Sequence, residues 1–229
     1  MAKLVYGPIV SDARNKEGGV VFTKTRFGSM ARRKVSPTQP RSSSQMNVRA
    51  SFTALSKLWS DATMDNYRAA WITLADSYPV KDVFGQSQKL TGHQMFVRIN
   101  RNLDASDTAR ILIAPASLSA PYPGSITLAK AGGPPITTLT YTQATANTSG
   151  EKILIFATPG ISHGVQNAGS RYRLLLNVPD TGTGPWDILP QYIAKFGAPI
   201  IGRTIFIKAA MITRATGATS LHSSASIKI

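Results

Sequence analysis

Arg203-Thr204-Ile205-Phe206-Ile207-Lys208-Ala209-Ala210-Met211-Ile212-Thr213 is a β-prone run whose reading, with its neighbours, decides the fold. Ile205 and Ile207 alternate with their neighbours as a half-buried strand requires. Ala215-Thr216-Gly217-Ala218 follows, then a second run over 219–229, so the pair reads as a closing hairpin. Working backward, shorter runs stand at 171–178, 152–158, 137–142 and 125–129, and Leu174, Leu176 and Val178 alternate within the first of these. Pro121, Pro123, Gly132-Gly133-Pro134-Pro135, Pro159-Gly160 and the stretch 182–185 separate them. Short strands between such turn signals, with no helical period among them, predict an antiparallel β-sandwich over 108–229.

Residues 44–107 carry the other period. Val48, Phe52, Leu55 and Trp59 recur at four, three and four residues, one stripe of a helix that Ser43 or Ser44 can cap. After Asp61-Ala62, Thr63 offers a second cap and Asp65 suits the first turn that follows. Met64, Tyr67, Trp71, Leu74 and Tyr78 then form a second stripe, ended by Pro79. Two helices joined so closely are expected to fold back on each other, bringing Trp59 near Trp71. A third helix begins near Thr91-Gly92 and buries Met95, Phe96, Ile99 and Leu103. The expected core of this helical subdomain is Phe52, Leu55, Trp59, Tyr67, Trp71 and Phe96.

Residues 1–43 are basic and rich in Gly, Pro and Ser. The stretch 20–27 is β-prone but too short to bury a core alone. The expectation is an extended basic arm with one or two short strands, ordered by a partner. An edge hairpin of the protein's own fold, with a solvated basic face, is the plainer alternative. The fold class expected for the 229 residues is therefore α+β: arm (1–43), helical subdomain (44–107) and β-sandwich (108–229).

Composition narrows the function. Lys and Arg number 26 against 11 Asp and Glu, a net charge of +15. Residues 1–50 hold ten bases and two acids, so more than half of that excess sits at the front. Such a segment attracts polyanions over about 10 Å at 0.1 M salt. Arg14, Lys16, Lys24, Arg26, Arg32, Arg33, Lys34, Arg41 and Arg49 are the expected partner- or polyanion-binding residues. Phe22 and Phe27 interleave with Lys24 and Arg26, as in strands that stack single-stranded bases. No RNP or zinc-finger signature accompanies them, so any nucleic-acid contact is expected to be non-specific.

Catalytic and metal chemistry finds little purchase. The absence of cysteine excludes disulfides, thiolate-bound zinc, iron–sulfur clusters and thiol nucleophiles. His93, His163 and His222 have no second histidine or carboxylate at ligand spacing. Ser162, His163 and Asp180 could be assembled into a triad, but no nucleophile elbow supports it. The glycine-rich stretches lack a phosphate loop's Gly-Lys-Ser/Thr ending. No catalytic residue, metal ligand or cofactor is expected. A membrane span is not expected either, and the N-terminus has no apolar leader segment.

A resemblance adds to this reading over residues 18–103. Its carriers are Gly18-Gly19-Val20-Val21-Phe22, Arg26-Phe27-Gly28, Arg33-Lys34-Val35-Ser36-Pro37-Thr38-Gln39-Pro40, the series Gln45, Arg49, Phe52, Leu55, Trp59, Arg68 and Trp71, and Phe96-Val97-Arg98-Ile99-Asn100-Arg101-Asn102. The chain here resembles structural-type proteins of tailed bacteriophages and prophages. They have a Gly/Arg-rich arm, a Trp-containing helical pair and often an immunoglobulin- or fibronectin III-like C-terminal domain. It departs at Thr38-Gln39-Pro40, where the group more often has Asn-Pro. The resemblance implies a non-enzymatic virion structural protein, assembled in the host cytoplasm. A head or neck position is expected, as a capsid auxiliary, minor capsid or connector-type component. Its partners would be capsid or connector subunits and further copies of itself, with possible contact to packaged DNA. Non-specific nucleic-acid binding during genome packaging is the alternative.

Overall fold

The computed structural model describes residues 2–5, 7, 12–25, 28–36, 38–82, 84–133, 135–178 and 182–229. The first strands are β1 (Ala2–Leu4), β2 (Asn15–Glu17), β3 (Val20–Thr25) and β4 (Gly28–Arg33). Helices α1 (Ser43–Ser60) and α2 (Asp65–Ser77) follow, then the hairpin β5 (Val80–Lys81) and β6 (Ser87–Gln88), and α3 (Gly92–Ala105). The remainder comprises β7 (Ile126–Ala131), β8 (Thr138–Gln143), β9 (Glu151–Ala157), β10 (Ile161–Ser162), β11 (Arg173–Val178) and β12 (Trp186–Asp187). It closes with α4 (Leu189–Phe196), β13 (Arg203–Thr213) and β14 (Ser223–Lys228). Among the described residues every strand pairing is antiparallel, so helices and antiparallel sheets coexist as an α+β fold requires.

β13 organises the C-terminal sheets. One edge pairs with β9, from Ile207 opposite Ala157 to Thr213 opposite Glu151, and the other with β14. β11 continues the sheet beyond β9. Side chains alternate along a strand, and here both faces are covered. Ile205, Ile207, Ala209 and Met211 enter a core shared with Ile153 and Ile155 of β9, with Ile126 of β7, and with Leu139 and Tyr141 of β8. Leu154 and Ile212 point the other way, into the core of α1, α2 and α3. A strand buried on both faces reads as a nearly unbroken apolar run, which is why 203–213 stands out in the sequence.

α4 corrects the expectation of a helix-free C-terminal region. Its Leu189 and Tyr192 are buried in the same core as the two sheets. Pro190 in its first turn, Lys195 in its last and Gly197 (φ 84°) just beyond are ordinary helix boundaries.

The helical part follows its periods with local changes. Ser42, rather than Ser43 or Ser44, caps α1 by accepting from Gln45 N. Asp61, rather than Thr63, caps the 3-10 turn that leads into α2, accepting from Thr63 N at 2.9 Å. Thr91 and Gln94 form a reciprocal capping box at α3. Trp59 and Trp71, expected to meet, come together through a third ring. Phe96 of α3 lies between them, with ring centroids 5.5 Å from Trp59 and 5.3 Å, edge-on, from Trp71. Leu55, Trp71 and Phe96 are fully buried, and Trp59 and Tyr67 pack against them partly exposed. Phe52 corrects the expected core: it is exposed, while Leu55, one turn on in the same stripe, is fully buried.

Lys152 of β9 is 7% exposed and donates its ammonium to Ser106 O and Asp107 O at the C-terminus of α3. A cation there meets the negative end of the helix dipole and two carbonyls the helix leaves unbonded. Lys152→Met keeps the volume but strands Asp107 O and leaves Ser106 O only the hydroxyl of Thr108 at 3.3 Å, so it is expected to destabilise by about 2 kcal/mol. The urea midpoint of the full chain measures it.

Candidate interaction surface

The four N-terminal strands form a sheet of their own, in the order β1-β4-β3-β2. This differs from the expected arm: there are four strands, and among the described residues those at 5, 7, 12–14, 34–36 and 38–42 lack regular structure. Gly18, at φ 53°, lies in the two-residue turn that joins β2 to β3. The sheet contributes no residue to any of the buried apolar clusters, and Ser29 is its one buried residue among those described.

The sheet is tied to the body by charge. Lys3 of β1 forms an ion pair with Asp82 in the loop between β5 and β6, with both side chains largely covered. Asp82 also accepts from Phe84 N at 2.8 Å and Gln86 N at 3.0 Å. The hydrogen bond from Lys3, followed by those from the loop amides, holds the Asp82 carboxyl below its ordinary 3.8 against the opposing effect of desolvation. A lowered folded value means the released loop takes up its proton first as pH falls. The Asp82 contribution to docking is therefore present above pH 3.8 and lost as pH drops through the folded value. The Lys3 amide chemical shift is expected to titrate in that acid range. In Asp82→Asn that transition should vanish and the released shift appear already at neutral pH.

The nine expected binding cations do not form one patch. Arg14 and Lys24 lie 2.9 and 3.6 Å from Asp12, which they partly neutralise. Both help hold the Asp12 carboxyl below its usual range despite desolvation, the largest influence on it. Lys16, Val21 and Arg32 stand opposite one another across β2, β3 and β4, so Lys16 and Arg32 share a face. Arg33 pairs with Val20, next to Glu17, and emerges on the opposite face. Lys34, Arg41 and Arg49 are exposed, and with Lys16, Arg32 and Arg33 they make no ion pair among the described residues. Arg26 and the neighbouring Phe27 lie outside the described residues.

Helix α1 adds a surface that the sequence did not separate from the core. It packs antiparallel to α3. Trp59 meets His93 at one end, and at the other Ser51 Oγ donates to Asp104 Oδ2 at 2.6 Å and accepts from Arg101 Nη1 at 2.8 Å. α3 ends at Ala105, one residue past Asp104, so the turns of α1 before Ser51 extend beyond it. Met46 and Val48, in those turns, are 48% and 54% exposed, and Phe52, just after Ser51, is 52% exposed. Shallow grooves of about 460 and 570 Å³ run along the helix, sharing Thr53 and Lys57. No acidic residue occurs between Ser43 and Ser60.

Elsewhere, a cavity of about 340 Å³ opens between Tyr78, Arg98, Asn102, Leu118 and Gly217. Asn102 is committed there to Gly217 O, and neither a carboxylate nor a histidine lines the space. Lys208 lies 4.6 Å from the Tyr172 ring and 5.3 Å from Phe156, whose ring also meets His222. Burial, then the Lys208 charge, lowers the His222 pKa, which favours neutral imidazole. His163 sits in the turn after β10, and Asp180 lies outside the described residues. Among the described residues no three His, Asp or Glu side chains gather as metal ligands. No described helix is long and apolar enough to cross a membrane.

Comparison with protein-family models, curated proteins and solved structures gives no match to this chain.

Proposed function

We propose that this is a non-enzymatic structural protein of a bacteriophage virion, associated with the head or neck, that assembles through its N-terminal sheet and α1. The observation that carries the reading is a folded N-terminal sheet without an apolar core, docked by an ion pair and bearing unpaired cations. Such an element gains stability from a surface supplied by another molecule. The resemblance of residues 18–103 to tailed-phage structural proteins supports the virion assignment. An immunoglobulin- or fibronectin III-like sandwich for residues 108–229 belongs to the same proposal. Its support is two antiparallel sheets that share one core.

Partners on this reading are capsid or connector subunits and other copies of the chain. The test is copy number in purified particles before and after the genome is released. A fixed stoichiometry in emptied shells supports a structural component. Departure with the genome would instead favour non-specific nucleic-acid binding in packaging, a reading that the unpaired Arg32, Arg33, Lys34, Arg41 and Arg49 make concrete. Removal of residues 1–43 separates the two further. An assembly element lost in this way leaves a folded chain that no longer enters particles, with DNA affinity little changed. A DNA-binding element takes affinity and its salt dependence with it.

A further inference from the structure

We infer that the outward side of α1 is a docking groove for an acidic amphipathic helix of a partner protein. The inference rests on the assembly reading and specifies the partner's chemistry. Val48, Phe52, Leu55 and Trp59 make one stripe, but α3 covers only its lower half. Phe52 and Met46 each line one of the two grooves, which meet at Thr53 and Lys57.

Charge selects the occupant. Arg49 and Lys57 flank the grooves eight residues apart, about 12 Å along a helix at 1.5 Å per residue. The one carboxylate among the described residues that lines the grooves, Asp61, is engaged in capping Thr63 N, and a second copy of this surface would set two cations, Arg49 and Lys57, against it. A phosphate backbone would satisfy the cations yet leave Met46, Val48 and Phe52 in water. A helix with apolar side chains between carboxylates two turns apart satisfies both features, as helix-in-groove recognition does elsewhere.

The experiment uses the full chain and a fluorescent peptide of about 18 residues, long enough for stable helix when apolar-anchored. Its leucine stripe is bordered by glutamates two turns apart. The comparators are the same peptide with lysine for glutamate, a scrambled acidic peptide and duplex DNA, all at about 0.15 M salt. The glutamate peptide is expected to bind at least about tenfold more tightly than either peptide comparator. Phe52→Asp and Arg49→Glu, both at exposed positions, are each expected to weaken it at least about tenfold. Equal binding of the scrambled peptide, no effect of Phe52→Asp, or displacement by DNA would overturn the groove assignment. A dimer of the chain that Phe52→Asp dissolves would also overturn it, making a second copy the occupant. Failure here with normal incorporation into particles leaves the assembly reading standing, whereas failure to enter particles at all strikes that reading itself.

Discussion

Replacing Phe96 with alanine is expected to destabilise the chain by about 3–5 kcal/mol, the range for emptying a buried aromatic site. Phe96 is fully buried and touches the rings of both Trp59 and Trp71, so its loss opens a void that three helices share. Trp71 is itself anchored through Nε1 to Leu112 O at 2.8 Å and has little room to follow the collapse. For a chain of this size the melting temperature should fall by on the order of 10 °C. Tryptophan fluorescence gives a local readout as well. Trp59 and Trp71 should shift to the red in the folded variant, whereas Trp186, stacked on Tyr141 in the other core, should not. A loss below about 1 kcal/mol would show that Phe96 does not bridge α1 and α2.

The second large effect is at Gly217, in the turn between β13 and β14. Its φ is +63°, and an added Cβ would lie 2.7 Å from Ile99 Cγ2 and 3.0 Å from Ile99 O on α3. Gly217→Ala therefore combines left-handed strain of roughly 1–2 kcal/mol with overpacking of roughly 1–3 kcal/mol. The expected total is about 2–5 kcal/mol, read from denaturant midpoints. Gly202 separates the two causes: its φ is +76°, yet nothing lies within 4 Å of its Cβ position. Gly202→Ala should show only the strain, about 1–2 kcal/mol. Equal losses at both sites would mean that the turn does not press on α3.

Elements buried on both faces, or on a full helical stripe, were the legible ones. Arg203–Thr213 agrees with its sequence reading to the residue, and α3 agrees in its cap and its buried side chains. α4 was missed because eight apolar-rich residues fit a short strand as well as a short helix. Its boundary signals, Pro190 and Gly197, were present in the sequence. Phe52 was misplaced for a different reason. A helical period identifies the apolar side of α1, but which residues of that side are covered depends on tertiary packing that leaves no mark on the period. The N-terminal sheet was hidden because β1 pairs with β4, more than twenty residues onward, and such pairing leaves no local period. The candidate surface was half legible: the cations were visible, while their division between two faces follows from strand register.

The press of Gly217 against α3 also constrains synthesis. Asn102 and Gly217 are 115 residues apart, and Ile212 completes the helical core from equally late in the chain, after Leu154 of β9. At 5–20 residues per second, the three helices leave the ribosome on the order of ten seconds before their covering strand exists. During that interval the core of Trp71, Phe96 and Leu103 lacks Ile212 and the turn at Gly217, and so is only partly covered. A nascent chain stalled before residue 203 should therefore hold its helices loosely and be the form that chaperones recognise.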